Sequence, residues 1–178
     1  MSNYKIVFTG PVGAGKTTAI TSISDFAPLK TDANASDMTR EIKDTTTVAL
    51  DYGTVRLDGG ECIHLYGTPG QQRFDFMWDI LVTGGIGLIL LLDNTRADPF
   101  ADLKFFLTQF SEFVNKTQVA VGITQMDLRS SPSIDDYHRQ ARTLGLNLPI
   151  FEVDARKKQD VAMLIKALLY SLDPGLHE

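Results

Sequence analysis

Residues Gly10 to Thr17 read GPVGAGKT. The pattern G-x-x-x-x-G-K-S/T, the P-loop, assembles the residue types that hold a polyphosphate. Glycines let successive backbone N–H groups converge on one phosphate, and a following helix adds partial positive charge from its N-terminus. Lys16 can reach β- and γ-phosphates, and the Thr17 hydroxyl can ligate Mg²⁺. The pattern has this meaning only between a strand and a helix. Here YKIVFT at Tyr4–Thr9 precedes it, and a helix-competent run, Thr17–Phe26, follows. The chemistry implied is binding of a nucleoside di- or triphosphate.

Strand and helix signals alternate along the chain, which predicts an α/β domain with a mostly parallel sheet. After the first helix a polar, aperiodic stretch, Lys30–Thr46, reads as a long loop, and such loops inside compact domains are usually functional. Val48–Leu57 and Glu61–Tyr66 flank Asp58-Gly59-Gly60, a turn short enough to make an antiparallel hairpin. A second glycine-rich loop, Gly67–Gln72, leads into a helix over Arg73–Val82. Ile86–Leu92 is continuously apolar, as a strand covered on both faces must be. Then follow a helix over Pro99–Val114, a strand over Gln118–Ile123, a helix over Ile134–Leu144, a strand over Ile150–Val153 and a closing helix over Val161–Leu172. The expectation is a single domain, 1–178, with an ordered core of about 3–173: six strands, one antiparallel at the edge, and helices on both faces.

Composition narrows the class. A net charge of −5 argues against a nucleic-acid surface, and the lone Cys62 points to a reducing cytoplasm and a small core residue. The longest apolar run is too short to cross a bilayer, and neither a signal peptide nor a lipidation motif is legible. Any membrane recruitment is therefore expected through a partner.

The remaining loops fall at the carboxyl ends of strands, where open α/β sheets bind ligands. The third strand ends in Gly67-Thr68-Pro69-Gly70-Gln71, the fifth in Thr124-Gln125-Met126-Asp127, and the sixth in Asp154-Ala155-Arg156. Thr45-Thr46-Thr47 stands before the second strand. Together these segments resemble, in order, the D-x-x-G-Q, N/T-K-x-D, S-A-K and switch I elements of Ras-, Rab- and Arf-like small GTPases. The resemblance covers Lys5 to Leu172, and Thr47–Trp78 looks most like a prokaryotic group related to the signal-recognition-particle receptor β subunit and the bacterial polarity GTPases.

The resemblance implies a Ras-like G domain, a P-loop NTPase fold binding GTP or GDP with Mg²⁺ and hydrolysing GTP slowly. It implies nucleotide contacts from Gly10, Val12, Gly13, Ala14, Gly15, Lys16, Thr17, Thr18 and Gly70, and base contacts from Thr124, Gln125, Asp127, Asp154, Ala155 and Arg156. Gln71, Lys16 and Thr47 are the catalytic candidates, with Gln71 positioning the water. Thr17 and Thr47 are the metal ligands, Thr46 being the alternative to Thr47. A carboxylate at Asp127 can accept from guanine N1–H and the 2-amino group, a pair adenine does not offer. Effectors or regulators, a roadblock-type protein among them, are expected to read switch I (30–47) and switch II (68–81), where Phe74, Phe76 and Trp78 could supply aromatic anchors. For Phe76 and Trp78 the reading put first is core packing, the alternative being a hydrophobic patch bared when the switch moves.

Three positions depart from the family pattern. Gly67 stands where an acidic residue usually supports Mg²⁺, so GDP release is expected to respond little to chelation. Gln125 replaces the lysine whose stem covers the base, and Val12 crowds the γ-phosphate position. Two rival readings remain: a P-loop kinase for a small metabolite, and a nucleotide-binding module that neither switches nor hydrolyses.

Overall fold

The computed structural model describes residues 3–26, 51–69 and 76–173, with the backbone alone at 76 and 77. Six strands form one sheet in the order β2-β3-β1-β4-β5-β6: β1 (Asn3–Thr9), β2 (Asp51–Arg56), β3 (Cys62–Gly67), β4 (Gly87–Asp93), β5 (Gln118–Thr124) and β6 (Ile150–Glu152). Only β2 runs antiparallel, against β3, and every other pairing is parallel. This is the mixed sheet expected of a Ras-like P-loop domain. Strand order reverses beside β1, whose neighbours β3 and β4 come later in the chain. A crevice therefore opens at its carboxyl end, where the P-loop begins.

Period-two alternation divides the core. Ile6 and Phe8 of β1, with Ile89 and Leu91 of β4, face α1 (Lys16–Ile23) and α6 (Lys158–Leu172). Val7, Leu88, Leu90 and Leu92 face α3 (Pro99–Gln109) and α5 (Ile134–Thr143). α2 (Phe76–Val82) and the short α4 (Ser111–Val114) complete the set among the described residues. Every residue of β4 is buried, as its unbroken apolar run requires.

Several boundaries differ from the expectation. The first helix stops at Ile23, because Ser24 turns extended, rather than running to Phe26. The helix expected over 99–114 breaks at Phe110, whose φ of −94° and ψ of 15° interrupt the α geometry. The last helix starts at Lys158, ahead of its first apolar residue. Cys62 lies only half-buried, on the β3 face it shares with His64 and Tyr66, rather than in the core. The residues 48–50 of the second expected strand, and the expected loop over 30–46, lie outside the described residues.

Of the two readings of Trp78, core packing and a patch bared for partners, the structure bears out the core. Its ring is 3% exposed, packs on Phe106 and Phe110 at centroid distances of 5.6 and 5.1 Å, and meets Phe105 edge-on. It is a core residue and no anchor for a partner. Its indole N–H donates to the Pro69 carbonyl at 3.3 Å, tying α2 to the start of the second glycine loop.

Trp78→Ala removes this aromatic stack and should lower the unfolding free energy by about 3–5 kcal/mol. Urea denaturation checks it: a loss under 1 kcal/mol would return Trp78 to the surface.

A phosphate cradle and a base cleft at the carboxyl edge

The P-loop leaves β1 at Gly10, whose φ is 142°. A Cβ there would lie 2.0 Å from the Leu91 carbonyl oxygen, so only glycine lets the loop rest on β4. Gly13 and Gly15 also have positive φ, 83° and 97°, and Gly15 immediately precedes α1. The first N–H groups of a helix have no intrahelical partner, and no acidic residue in the first turn offsets their partial charge. Thr17 and Thr18 are exposed on that turn, Ala14 is buried, and Val12 stands 56% exposed.

Lys16 lies in the middle of this cradle. It is 7% exposed, and its ammonium donates to the carbonyls of Gly10 and Pro11 at 2.7 and 2.8 Å. Burial lowers it to about 8, against the opposing pull of the Asp51 carboxylate. Asp51 in turn accepts a hydrogen bond from the Thr17 hydroxyl at 2.5 Å. The Thr17 hydroxyl and the Asp51 carboxylate form a hard-oxygen corner beside a buried cation, a donor set that fits Mg²⁺, while the helix-terminal N–H groups are left for phosphate.

A cleft of about 700 Å³ opens between the P-loop residues Gly13–Gly15 and Thr18, the β5 end from Thr124 to Leu128, and the β6 end from Glu152 to Asp160. The base-contact candidates Thr124, Gln125, Asp127, Asp154, Ala155 and Arg156 all line it. Two of them brace the phosphate loop directly. The buried Thr124 hydroxyl donates toward the carbonyls of Ala14 (3.0 Å) and Leu92 (3.2 Å), and the Gln125 side-chain amide donates to Gly13 O at 3.1 Å. Gln125 takes the left-handed conformation, φ 60°, the only non-glycine residue among those described to do so. That strained turn aims Gln125 at the P-loop while Asp127 stays on the exposed rim of the cleft.

The Asp154 loop is self-latched. Its carboxylate accepts from the Arg156 guanidinium at 2.8 and 2.9 Å and from the Arg156 amide at 3.0 Å, and these bonds hold it down at about 2. The Asp154 amide donates to Asp160 of α6. Ala155 is thereby presented at the cleft wall, 3.0 Å from where a Gly15 Cβ would stand.

The sequence reading missed a buried network behind the base loop. Asn94 is fully buried; its side-chain amide donates to the carbonyls of Arg129 and Pro132, and its oxygen accepts the Tyr137 hydroxyl at 2.7 Å. Burial pushes the Tyr137 hydroxyl well above its ordinary range, keeping it a donor. The one available signal was a polar Asn directly after an apolar strand. The second glycine loop is rooted likewise: the Thr68 amide donates to Phe8 O, and its hydroxyl pairs with Thr9 Oγ1 at 2.8 Å. Thr46, Thr47, Gly70 and Gln71 lie outside the described residues, so their expected roles rest on the sequence.

The Ras family model matches residues 5–173. The chain is 28% identical over 158 residues to the Ras-related protein Rab-1C of Dictyostelium discoideum, covering 86% of this chain and 72% of that protein. It is 31% identical over 121 residues to an uncharacterized protein of Methanocaldococcus jannaschii, covering 65% and 71%. To the Ras-related protein RABD2a of Arabidopsis thaliana it is 23% identical over 171 residues, covering 95% and 79%.

Two outcomes follow from these contacts. Thr124→Val leaves two buried carbonyls without their hydroxyl donor and should cost about 1–3 kcal/mol in urea denaturation; a change within 0.3 kcal/mol would mean the brace is idle. The Asp154 latch is a depressed carboxylate, so it holds above the ordinary 3.8 and is lost as pH falls through about 2. Carbon-13 NMR titration of the Asp154 carboxyl should show this, with Arg156→Ala moving the midpoint back up; an unmoved midpoint would remove Arg156 as its cause.

Proposed function

This chain belongs to the Ras family, and on that premise we propose that it is a guanine-nucleotide switch that binds GTP and GDP with Mg²⁺ and hydrolyses GTP slowly. One observation carries the reading: the cleft that Asp127 lines is also walled by the P-loop residues Gly13–Gly15, which directly precede Lys16, and Thr124 and Gln125 hydrogen-bond to the Ala14 and Gly13 carbonyls of that loop. A base seated at Asp127 and phosphates seated at Lys16 would belong to one ligand. Asp127 accepts from guanine N1–H and the 2-amino group, and the Ala155 amide donates to the exocyclic O6. Gln125 keeps a donor on the P-loop although it is shorter than the lysine it replaces.

For hydrolysis, Lys16 and the loop amides stabilise the charge that develops on the β–γ bridge and γ-phosphoryl oxygens. Mg²⁺, held by Thr17 and Thr47, neutralises phosphate charge when bound. Gln71 orients the attacking water, and the family resemblance puts Val12 at the position that crowds that group. An intrinsic rate near ~10⁻⁴ s⁻¹ is expected, as for unstimulated Ras. A γ-phosphate held from both Thr47 and the Gly70 amide would order 30–47 and 68–81 together, giving a partner two states to read. The family resemblance favours a roadblock-type protein as that partner, and the compartment is the cytoplasm. Among the described residues no helix is long and apolar enough to cross a membrane.

Two measurements decide between this reading and its rivals. Asp127→Asn should weaken GTP binding by about 30- to 1,000-fold and gain xanthosine triphosphate, whose base offers the complementary acceptor. Equal binding of ATP and GTP by the wild type would sink the assignment. In single-turnover assays Gln71→Leu should slow hydrolysis, while Val12→Gly leaves it equal or faster. An unchanged rate in Gln71→Leu means Gln71 is not catalytic, and GTP left intact for hours by the wild type points to a passive binding module.

A further inference from the structure

Gly67 lacks the carboxylate that would support a metal at the end of β3, yet the structure places a carboxylate in the same space from the neighbouring strand. Asp51, the first residue of β2, lies opposite Gly67 in the antiparallel register. A Cβ built on Gly67 would stand 2.9 Å from the Asp51 Cβ, 3.2 Å from Asp51 Oδ2 and 3.1 Å from Ile20 Cδ1. The Asp51 side chain therefore occupies the volume that an acidic side chain at position 67 would enter. Oδ2 meets the Thr17 hydroxyl at 2.5 Å, and Thr17 is the P-loop residue whose oxygen is placed to ligate Mg²⁺.

We propose that Asp51 is the anionic support of the Mg²⁺ site in this chain, a role moved one cross-strand step from β3 to β2. The inference rests on the guanine-nucleotide reading above. A threonine hydroxyl has one proton and two lone pairs. Donation of the proton to Asp51 fixes the rotor and leaves lone-pair density free for a cation. The same carboxylate adds negative charge at the metal corner and can accept from metal-bound water, since Mg²⁺ keeps several waters in such sites. Glycine at 67 is then a requirement, because a side chain there would collide with the carboxylate that replaces it. The weak hold on Mg²⁺ expected from Gly67 alone is accordingly reversed.

A simple strap between α1 and β2 would also use the Thr17–Asp51 bond, so the test must read metal rather than stability. Protein loaded with a fluorescent GDP analogue is followed for nucleotide release across free Mg²⁺ fixed by EDTA buffering. In the wild type, release should accelerate as Mg²⁺ is withdrawn. Asp51→Asn preserves the shape and should raise the Mg²⁺ concentration for half-maximal retention by about 10- to 100-fold, with release in excess EDTA matching the wild type. The exchanged pair Asp51→Gly/Gly67→Asp should recover much of the lost Mg²⁺ affinity. A midpoint for Asp51→Asn within twofold of the wild type overturns the inference, as does slow wild-type release that ignores Mg²⁺ altogether; both leave guanine binding intact. A wild type that retains the adenine analogue instead defeats the nucleotide reading itself.

Discussion

A buried ammonium is the constraint on which the rest of this structure depends. Lys16 is almost fully withdrawn from water, and two backbone carbonyls at 2.7 and 2.8 Å satisfy two of its three protons. Burial drives such a group toward neutrality and lowers its pKa to about 8 despite the nearby Asp51 carboxylate. A cation kept there is stabilised by an anion in its third direction, so the cradle favours a phosphate. The glycine at 10 is part of the same constraint. Without it the loop could not pass the Leu91 carbonyl, and Gly10 O would not face Lys16.

The surrounding loops act as braces on that cradle. Thr124 and Gln125 reach it from β5, and Thr68 is fastened to β1 beside it. Asp51 reaches it from β2 through Thr17. In the proposed reading each brace also belongs to a segment with a second task, whether base recognition, metal support or the root of a loop that reads the γ-phosphate. Nucleotide occupancy can therefore be transmitted by short hydrogen bonds between neighbouring loops, with the fully buried β4 as a rigid floor.

Much of this was legible in the chain because its signals are local. The P-loop spacing, the apolar run of β4 and the short turn at Asp58-Gly59-Gly60 each encode their structure within a few residues. The loop motifs after β5 and β6 were legible because strand ends place them in one crevice beside the P-loop. What escaped was non-local. Nothing adjacent in the chain marks Asp51, and only the β2–β3 register sets it against Gly67. Asn94 and Tyr137 are 43 residues apart and meet only when α5 packs behind β4. Trp78 could be read as core or as a surface patch because Phe105, Phe106 and Phe110, which bury it, lie far along the chain. Helix ends shifted where the backbone left α geometry, at Ser24 and Phe110.

The nucleotide carried by the purified protein tests the central claim most directly. After mild denaturation of freshly isolated protein, chromatography of the released small molecules should recover guanosine diphosphate as the dominant species. Adenosine diphosphate in its place would contradict the account, because the cleft at Asp127 would then be reading a base that lacks the donors assigned to it.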